Sequence, residues 1–366
     1  LTRQKSRLFK ASAIWMLRAL AVALIAGSLL STTDLNQWWV RIWDFPRVQI
    51  LVAMLVMAVL LWLFDRKWRP YSSLVLIGLA AWQLYRVHPY TPLAAAEVAK
   101  TEKLALESDK CFSVMSFNVL QKNRNYAATI EMLEREQPDI LLLLETDQKW
   151  RDALAGVLAE YPEKLERPLD NTYGLLFATR LPMTDGSVQD LAEEDTPSAY
   201  ATLTAGQKFR LIGLHPRPPH PGQDTEERDA EIVLAARHAK DQTMPVLAIG
   251  DFNDVGWSDT TLLFKSIGEF LDPRIGRGNF ATFPADKTWL GWPLDHLFVT
   301  EEFLLRDIRV LDNVGSDHRP VIAELCLAPA AARKVNDRTE EPDAEDRADG
   351  NEAIQDYRED SAEEAN

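Results

Sequence analysis

Cysteine is scarce in this chain. Only Cys111 and Cys326 occur among its 366 residues, which excludes a disulfide scaffold and any cysteine-rich metal site. Basic residues are also scarce beyond the N-terminal part: residues 110–327 carry 22 basic and 35 acidic side chains, and residues 328–366 carry 5 and 13. Long nucleic acid is held by basic surfaces, so an extensive nucleic-acid footprint is disfavoured. No internal repeat occurs, so a repeat architecture is not expected. Met is missing from the first position, and the true start is expected to lie upstream of Leu1. The length exceeds one ordinary domain, so two or three segments of different character are expected.

Charge is nearly absent from three apolar runs. Residues 11–33, ASAIWMLRALAVALIAGSLLSTT, are broken only by Arg18; residues 48–64 carry no charge; residues 71–87 have Arg86 near their end. Each approaches the roughly 20 residues a helix needs to cross the ~30 Å hydrocarbon core. A cleaved signal peptide accounts for the first run alone, not for three in series. Buried helices of a soluble protein are the competing reading, and run length argues against it. Arg3, Lys5, Arg7 and Lys10 precede the first run, and Arg66, Lys67 and Arg69 fill the link between the second and third. Cytoplasmic loops collect Lys and Arg, so both segments are expected inside. Seven of the eleven tryptophans lie in residues 15–82, Trp38, Trp39, Trp43 and Trp68 near run ends, where amphipathic rings suit the interface. Residues 1–87 therefore read as an anchor of three transmembrane helices, which leaves everything from residue 88 onward outside.

Residues 88–109 read as a linker or juxtamembrane helix. From 110 to 327 the pattern becomes alternating strands and helices: CFSVMSFNV, DILLLLE, YGLLFA, FRLIGLH, PVLAIGD, DHLFV and PVIAELCL are short apolar runs, and 126–137 and 225–240 have helical spacing. Residues 328–366 are acidic, lack apolar periodicity, and are expected to be disordered.

Polar residues stand at the ends of these strands. Asn118, Glu145, His215 and Asp251 each close one, Asn253 follows two positions on, Asp295 and His296 open another, and Asp317 and His318 stand just before the last. Singly, each has a bland alternative: Glu145 as a helix cap or solvated strand end, His215 as a turn residue, GDFND as an ordinary Asp/Asn turn. Asp317-His318 is stronger, because a neighbouring acid can orient an imidazole and raise its basicity. As a set they describe polar groups fixed around one cavity by rigid strands, and their oxygen-rich chemistry suits a hard cation such as Mg²⁺.

The order SFNV, LLLLE, GLH, GDFN, LDH and GSDHRP resembles the endonuclease/exonuclease/phosphatase superfamily over residues 111–327. The resemblance implies a DNase I-like, four-layer α/β sandwich of two packed mixed β-sheets flanked by helices, and Mg²⁺-dependent hydrolysis of phosphodiesters or phosphomonoesters, with Mn²⁺ as a substitute. It implies Glu145, Asn118 and Asp317 as the metal site, Asp251 and Asn253 as the pair orienting water and contacting phosphate, and His318 beside the scissile phosphate, supported by Asp295. His215 falls where many members supply another phosphate-facing residue. Tyrosine often follows the aspartate matched by Asp295, so His296 is a departure and is expected to point into the core. Whether Asp251 or His318 takes the proton from water is left open.

The layout of three apolar runs before this domain, with HPRPP at the end of the strand FRLIGLH, resembles a membrane-anchored bacterial branch that includes a protein associated with teicoplanin resistance. That resemblance implies a multi-pass protein of the bacterial inner membrane with an extracytoplasmic site near lipid-linked phosphates. The leading expectation is a membrane-anchored phosphoesterase whose partners are the bilayer and a phosphate-ester substrate. A nuclease is the alternative, with nucleic acid as substrate, and a catalytically silent binding or sensor module is third. No protein partner is identifiable. Cys111 and Cys326 fall near each other if their strands are adjacent and antiparallel; two reduced thiols are expected, with a disulfide as the alternative in an oxidising compartment.

Overall fold

Apolar sequence and helix propensity dictate the first part of the chain. In the computed structural model, which describes residues 2–101, 108–339 and 341–364, helices α1 (Thr2–Leu30), α2 (Trp38–Arg41), α3 (Arg47–Phe64) and α4 (Arg69–Val87) occupy this region. The side chains of Arg3, Lys5 and Arg7 lie outside the described set. Two stretches, Lys10–Leu30 and Arg47–Phe64, are long and apolar enough to cross a membrane. The expected third crossing is a 19-residue helix but not one of these two. Its Arg69, Ser72, Ser73, Gln83 and Arg86 dilute the apolar content.

The chain divides into a first unit, Leu1–Pro89 with His220–Asp224, and a second unit, Tyr90–Pro219 with Thr225–Asn366. The first unit has its own core, in which Ala21, Ile50, Met54, Leu61, Leu76 and Ala80 are buried. Arg18 interrupts α1 and forks onto Asp65, at 2.7 Å and 3.0 Å, just past the end of α3. Arg47, fully enclosed, bonds Gln83 Oε1 at 3.1 Å, the Ser31 carbonyl at 3.3 Å, and Asp44.

The second unit is built on strands β1 (Cys111–Asn118), β2 (Ile140–Leu144), β3 (Glu163–Arg167), β4 (Leu175–Thr179), β5 (Met183–Asp190), β6 (Pro197–Ala205), β7 (Gln207–Leu214), β8 (Val246–Asp251), β9 (Asp295–Val299), β10 (Phe303–Val310) and β11 (Val321–Leu327). They form a six-stranded sheet, β10-β11-β1-β2-β4-β3, and a five-stranded sheet, β5-β6-β7-β8-β9. Both are mixed: β1 runs parallel to β2 and β7 to β8, and the remaining neighbours are antiparallel. Val114, Leu142, Phe177, Leu211 and Ile249 fill the space between the sheets. Helices α5 (Tyr126–Glu136), α6 (Gln148–Ala153) and α7 (Ala155–Leu158) cover the outer face of the first sheet through Met132, Trp150 and Leu158. Helices α8 (Glu226–Lys240) and α9 (Asp259–Gly268) cover the second through Ile232, Ala236 and Phe264. Two mixed sheets flanked by helices are the layers expected.

Three expectations are corrected. The cysteines are not free thiols: Cys111 and Cys326 face each other across the β1–β11 ladder, with Cα atoms 4.0 Å apart, and form a disulfide. The tail is not featureless. It forms α10 (Pro329–Ala332) and α11 (Ala344–Glu364), and α11 packs on α8 and α9. Gly350, Ala353, Ile354 and Tyr357 make a stripe at helical spacing, too narrow to stand out among the surrounding acids, with Ile354 buried and Tyr357 Oη donating to the Ala192 carbonyl at 2.6 Å. Residues 340, 365 and 366 lie outside the described set. Of the expected linker, residues 102–107 also lie outside it, and 90–100 form a strap on the second unit. There Glu97 pairs with Lys265 at 2.8 Å and Lys100 bridges to Leu305.

Candidate active site

Strand geometry brings the polar ends together. The β1–β2 register sets Asn118 opposite Leu144, one residue before Glu145, and the β8–β9 register sets Asp251 opposite Asp295. Both positions are C- or N-terminal strand ends, where the backbone is rigid and the side chain is free to point into a cleft. Glu145 takes a left-handed conformation, φ 58°, which turns the chain sharply at the strand end. Gly174 makes room for that turn: a Cβ there would lie 1.9 Å from the Thr146 carbonyl oxygen.

Asn118 is the joint between the two sheets. Its Nδ2 donates to Glu145 Oε1 at 2.9 Å and to Asp251 Oδ2 at 3.0 Å, and its Oδ1 accepts from the Leu120 amide at 3.0 Å. Glu145 Oε2 accepts from the Gln121 amide at 3.1 Å. His318 lies between two carboxyl groups, with Nδ1 2.8 Å from Asp295 Oδ2 and Nε2 3.5 Å from Asp251 Oδ2. Its backbone amide donates to Ser316 Oγ at 3.0 Å, and Ser316 Oγ donates to the Asn118 carbonyl at 2.7 Å. Asp317, half-buried, stands between these two residues, and its carbonyl accepts from the Ala285 amide at 2.8 Å. His215 Nε2 lies 3.9 Å from Asp251 Oδ2, and Nδ1 of the same ring is buried without a hydrogen-bond partner.

Burial and charge shape the protonation of this group. Burial alone would lower the His318 pKa, but the Asp251 and Asp295 carboxylates outweigh it and raise it to about 10. Burial, reinforced by His318, pushes His215 down to about 4 against the pull of Asp251. Burial raises Asp251, with Asp295 adding to the rise and His318, His215 and Asn118 opposing it. The site therefore holds one imidazolium and one neutral imidazole against four carboxyl groups, those of Glu145, Asp251, Asp295 and Asp317. That imbalance, with an oxygen-dominated donor set, fits a hard divalent cation. Asp251, Asp295 and His318 also form a buried group whose possible ligand atoms lie within 4.8 Å of one another. There, however, the imidazole already faces both carboxyl groups, which places a proton where an ion would otherwise stand.

Two sequence-named residues sit differently from the rest. Asn253, at φ 50°, donates its backbone amide to Asp251 Oδ1 at 3.0 Å and its Nδ2 to the Pro216 carbonyl at 3.0 Å, so it ties the GDFN turn to the segment after His215. His296 points into the core, as expected, and is fully buried. Ser316, Thr282 and Tyr173 escaped the sequence reading. Thr282 Oγ1 accepts from the Asp295 amide at 3.3 Å, and the Tyr173 ring lies 5.4 Å from that of His215. Ser316 sits inside the GSDHRP motif and was there to be noticed; a lone Tyr or Thr in a loop gives no such signal.

An oxygen-rich site at the ends of two packed sheets suits a divalent cation, and the comparisons with known proteins give the class. The family model of the endonuclease/exonuclease/phosphatase family matches residues 115–318, and the chain belongs to that family. It is an enzyme of the phosphoester-hydrolysing, metal-dependent class. The chain is similar to TDP2 from D. rerio complexed with a single-strand DNA product, at 14% identity, 60% coverage of this chain, 99% of that chain and a TM-score of 0.51. Also similar are the human Nocturnin catalytic domain with bound sulfate (17%, 61% and 97%, TM-score 0.48) and a Bacteroides thetaiotaomicron mannosyl-6-phosphatase (18%, 58% and 99%, TM-score 0.48). No curated protein matches by sequence. At 14% identity the D. rerio structure establishes the fold and not the substrate.

Proposed function

We propose that this protein is a membrane-anchored, Mg²⁺-dependent phosphoesterase whose site lies outside the cytoplasm and takes membrane-proximal phosphate esters, lipid-linked phosphates among them. The observation that carries the chemistry is His318 set between Asp295 and Asp251, with Asn118 joining Asp251 to Glu145. Glu145, with Asn118 and Asp317, is the candidate metal site, and the bound ion would supply neutralisation of phosphate charge.

The chain's own residues do the rest. Asp295 orients His318 and keeps it protonated, so His318 acts as a hydrogen-bond donor to phosphate rather than as a base. Asp251, its pKa raised by burial, is the group suited to take the proton from attacking water. Asn118 holds Asp251 and Glu145 at a fixed separation, and His215 offers a neutral imidazole on the other side of Asp251. Asn253 steadies the turn on which Asp251 sits.

The first unit supports this location. Leu74 is 73% exposed and Ile77 53% on α4. Apolar surface left open on this scale suits lipid rather than water, and favours α4 as a third crossing. Arg66, Lys67 and Arg69 then mark the α3–α4 link as cytoplasmic, which puts the second unit on the other side. A disulfide there suits an oxidising compartment.

The test is hydrolysis by the full chain in lipid nanodiscs, with and without Mg²⁺, of pyrophosphate-linked lipid, phospholipid, DNA and RNA. Mg²⁺-dependent release of phosphate from the lipids, with little cleavage of either nucleic acid, is expected. Preferential cleavage of DNA or RNA would replace this reading with a nuclease, and inertness towards all four would favour a binding module.

A further inference from the structure

His296 follows Asp295 at the head of β9, and its surroundings give it a task. Its Nδ1 lies 2.6 Å from an Arg274 guanidinium nitrogen and its Nε2 lies 2.9 Å from the Asp254 carbonyl oxygen. A guanidinium only donates and a carbonyl only accepts, so the ring is neutral with its proton on Nε2. Burial and the adjacent Arg274 charge agree, pushing its pKa down to about 3.

Arg274 is buried as deeply. Its Nε and one terminal nitrogen fork onto Asp272 at 2.9 Å and 2.7 Å, and the other terminal nitrogen lies 3.4 Å from the Asp295 carbonyl oxygen. Tyr90, from the strap, closes the far side: its hydroxyl lies 2.7 Å from the Gly256 carbonyl and 3.1 Å from Asp272 Oδ2. Gly256 has to be glycine for this, since a Cβ would lie 2.4 Å from that hydroxyl. A buried Arg–Asp pair stabilises a fold no better than apolar packing often does, so stability alone is a weak reason for this network.

The segments it grips are informative. Asp295 opens β9 and pairs with His318, while Asp254 closes the turn that begins at Asp251. We propose that Arg274 and His296 are positioning residues, whose hydrogen bonds to the Asp295 and Asp254 carbonyls fix the separation of Asp251 and Asp295 and so hold His318 between them. This rests on the roles proposed above for those three residues. Neither Arg274 nor His296 touches the reacting atoms.

The test uses the full chain in nanodiscs with Mg²⁺ and bis(p-nitrophenyl) phosphate, comparing Arg274→Met, His296→Leu and His296→Gln. Misplacement by an ångström can cost as much as about 100-fold. A fall in kcat of about 10-fold or more is therefore expected for the Met and Leu variants, with KM within about 2-fold and the unfolding midpoint little changed. Glutamine can accept from Arg274 and donate to the Asp254 carbonyl, so His296→Gln should recover most of the loss. The second readout, ¹⁵N-histidine NMR of the same proteins, is independent of turnover. The His318 Nδ1 proton should be sharp in the parent and His296→Gln, and exchange-broadened in the other two.

Failure of glutamine to outperform leucine, or an unaltered His318 signal in both the Met and Leu variants, would overturn the proposal. Should Arg274→Met not fold, the Leu and Gln pair at His296 decides alone. Should the parent not hydrolyse the probe, the phosphoesterase reading fails on that substrate, and the His318 signal still decides the positioning role.

Discussion

In the first unit, half-buried Arg18 has Asp65 and buried Arg47 has Asp44, so each of these two cations faces a carboxylate. In the second unit, Arg274 and Asp272 follow the same rule, but the strand ends do not. There Asp251 and Asp295 share His318, while Glu145 and Asp317 add two further carboxyl groups. Matched pairs are what a chain needs to bury charge without loss. An acid excess is costly unless something cationic arrives, and perturbed groups of this kind cluster where chemistry is done. Charge balance thus separates the polar networks that hold this protein together from the one that works on a substrate.

Three substitution experiments probe that distinction. The largest effect is expected at the unbalanced network: Asp251→Ala or His318→Ala should reduce Mg²⁺-dependent turnover by at least ~100-fold, the scale of general acid–base catalysis, with the fold retained by circular dichroism. Near-parent activity in either folded variant would remove that residue from the mechanism.

A smaller effect, on stability and not on turnover, is expected at the balanced pair in the first unit. Arg18→Leu should lower the melting temperature of the full chain in detergent by leaving Asp65 unmatched, and Arg18→Leu with Asp65→Leu should recover most of it. Additive losses in the double variant would mean that the two side chains act independently.

The smallest effect lies at an isolated buried acid. Burial pushes Glu231 up to about 8 against one hydrogen bond, from Ser198 Oγ at 2.9 Å. The folded protein then holds a proton there that the unfolded chain has lost, so stability falls as pH rises from the ordinary carboxyl range through about 8. Glu231→Gln should match the parent in acid and melt higher above pH 8. Parallel melting curves across that range would show that Glu231 does not titrate on unfolding.

The same contrast explains what could be read from the sequence. Strands buried on both faces, such as Ile140–Leu144 and Val246–Asp251, are unbroken apolar runs and declare themselves. The strands left unmarked are β3, β5, β6 and β10. In β3 and β5 the side chains are polar and half-exposed at sheet edges; β6 is buried but made largely of Ala, Ser and Thr. Edge strand β10 mixes apolar residues with Arg306, Asp307 and Arg309. The candidate site residues Asn118, Glu145, His215, Asp251 and Asp295 stood at strand boundaries and were visible for that reason. Arg274 was not, because its DPR context has the form of an ordinary turn, and its partners beyond Asp272 lie in β9, at Asp295 and His296. The disulfide was open for a different reason: spacing can place two cysteines at one end of a sheet, but only the register shows them face to face.

That cross-link has a mechanical consequence. Cys111 and Cys326 are 215 residues apart in sequence, and every site residue lies between them. A single cut within the loop between them would leave the two pieces fastened together through one sulfur–sulfur bond.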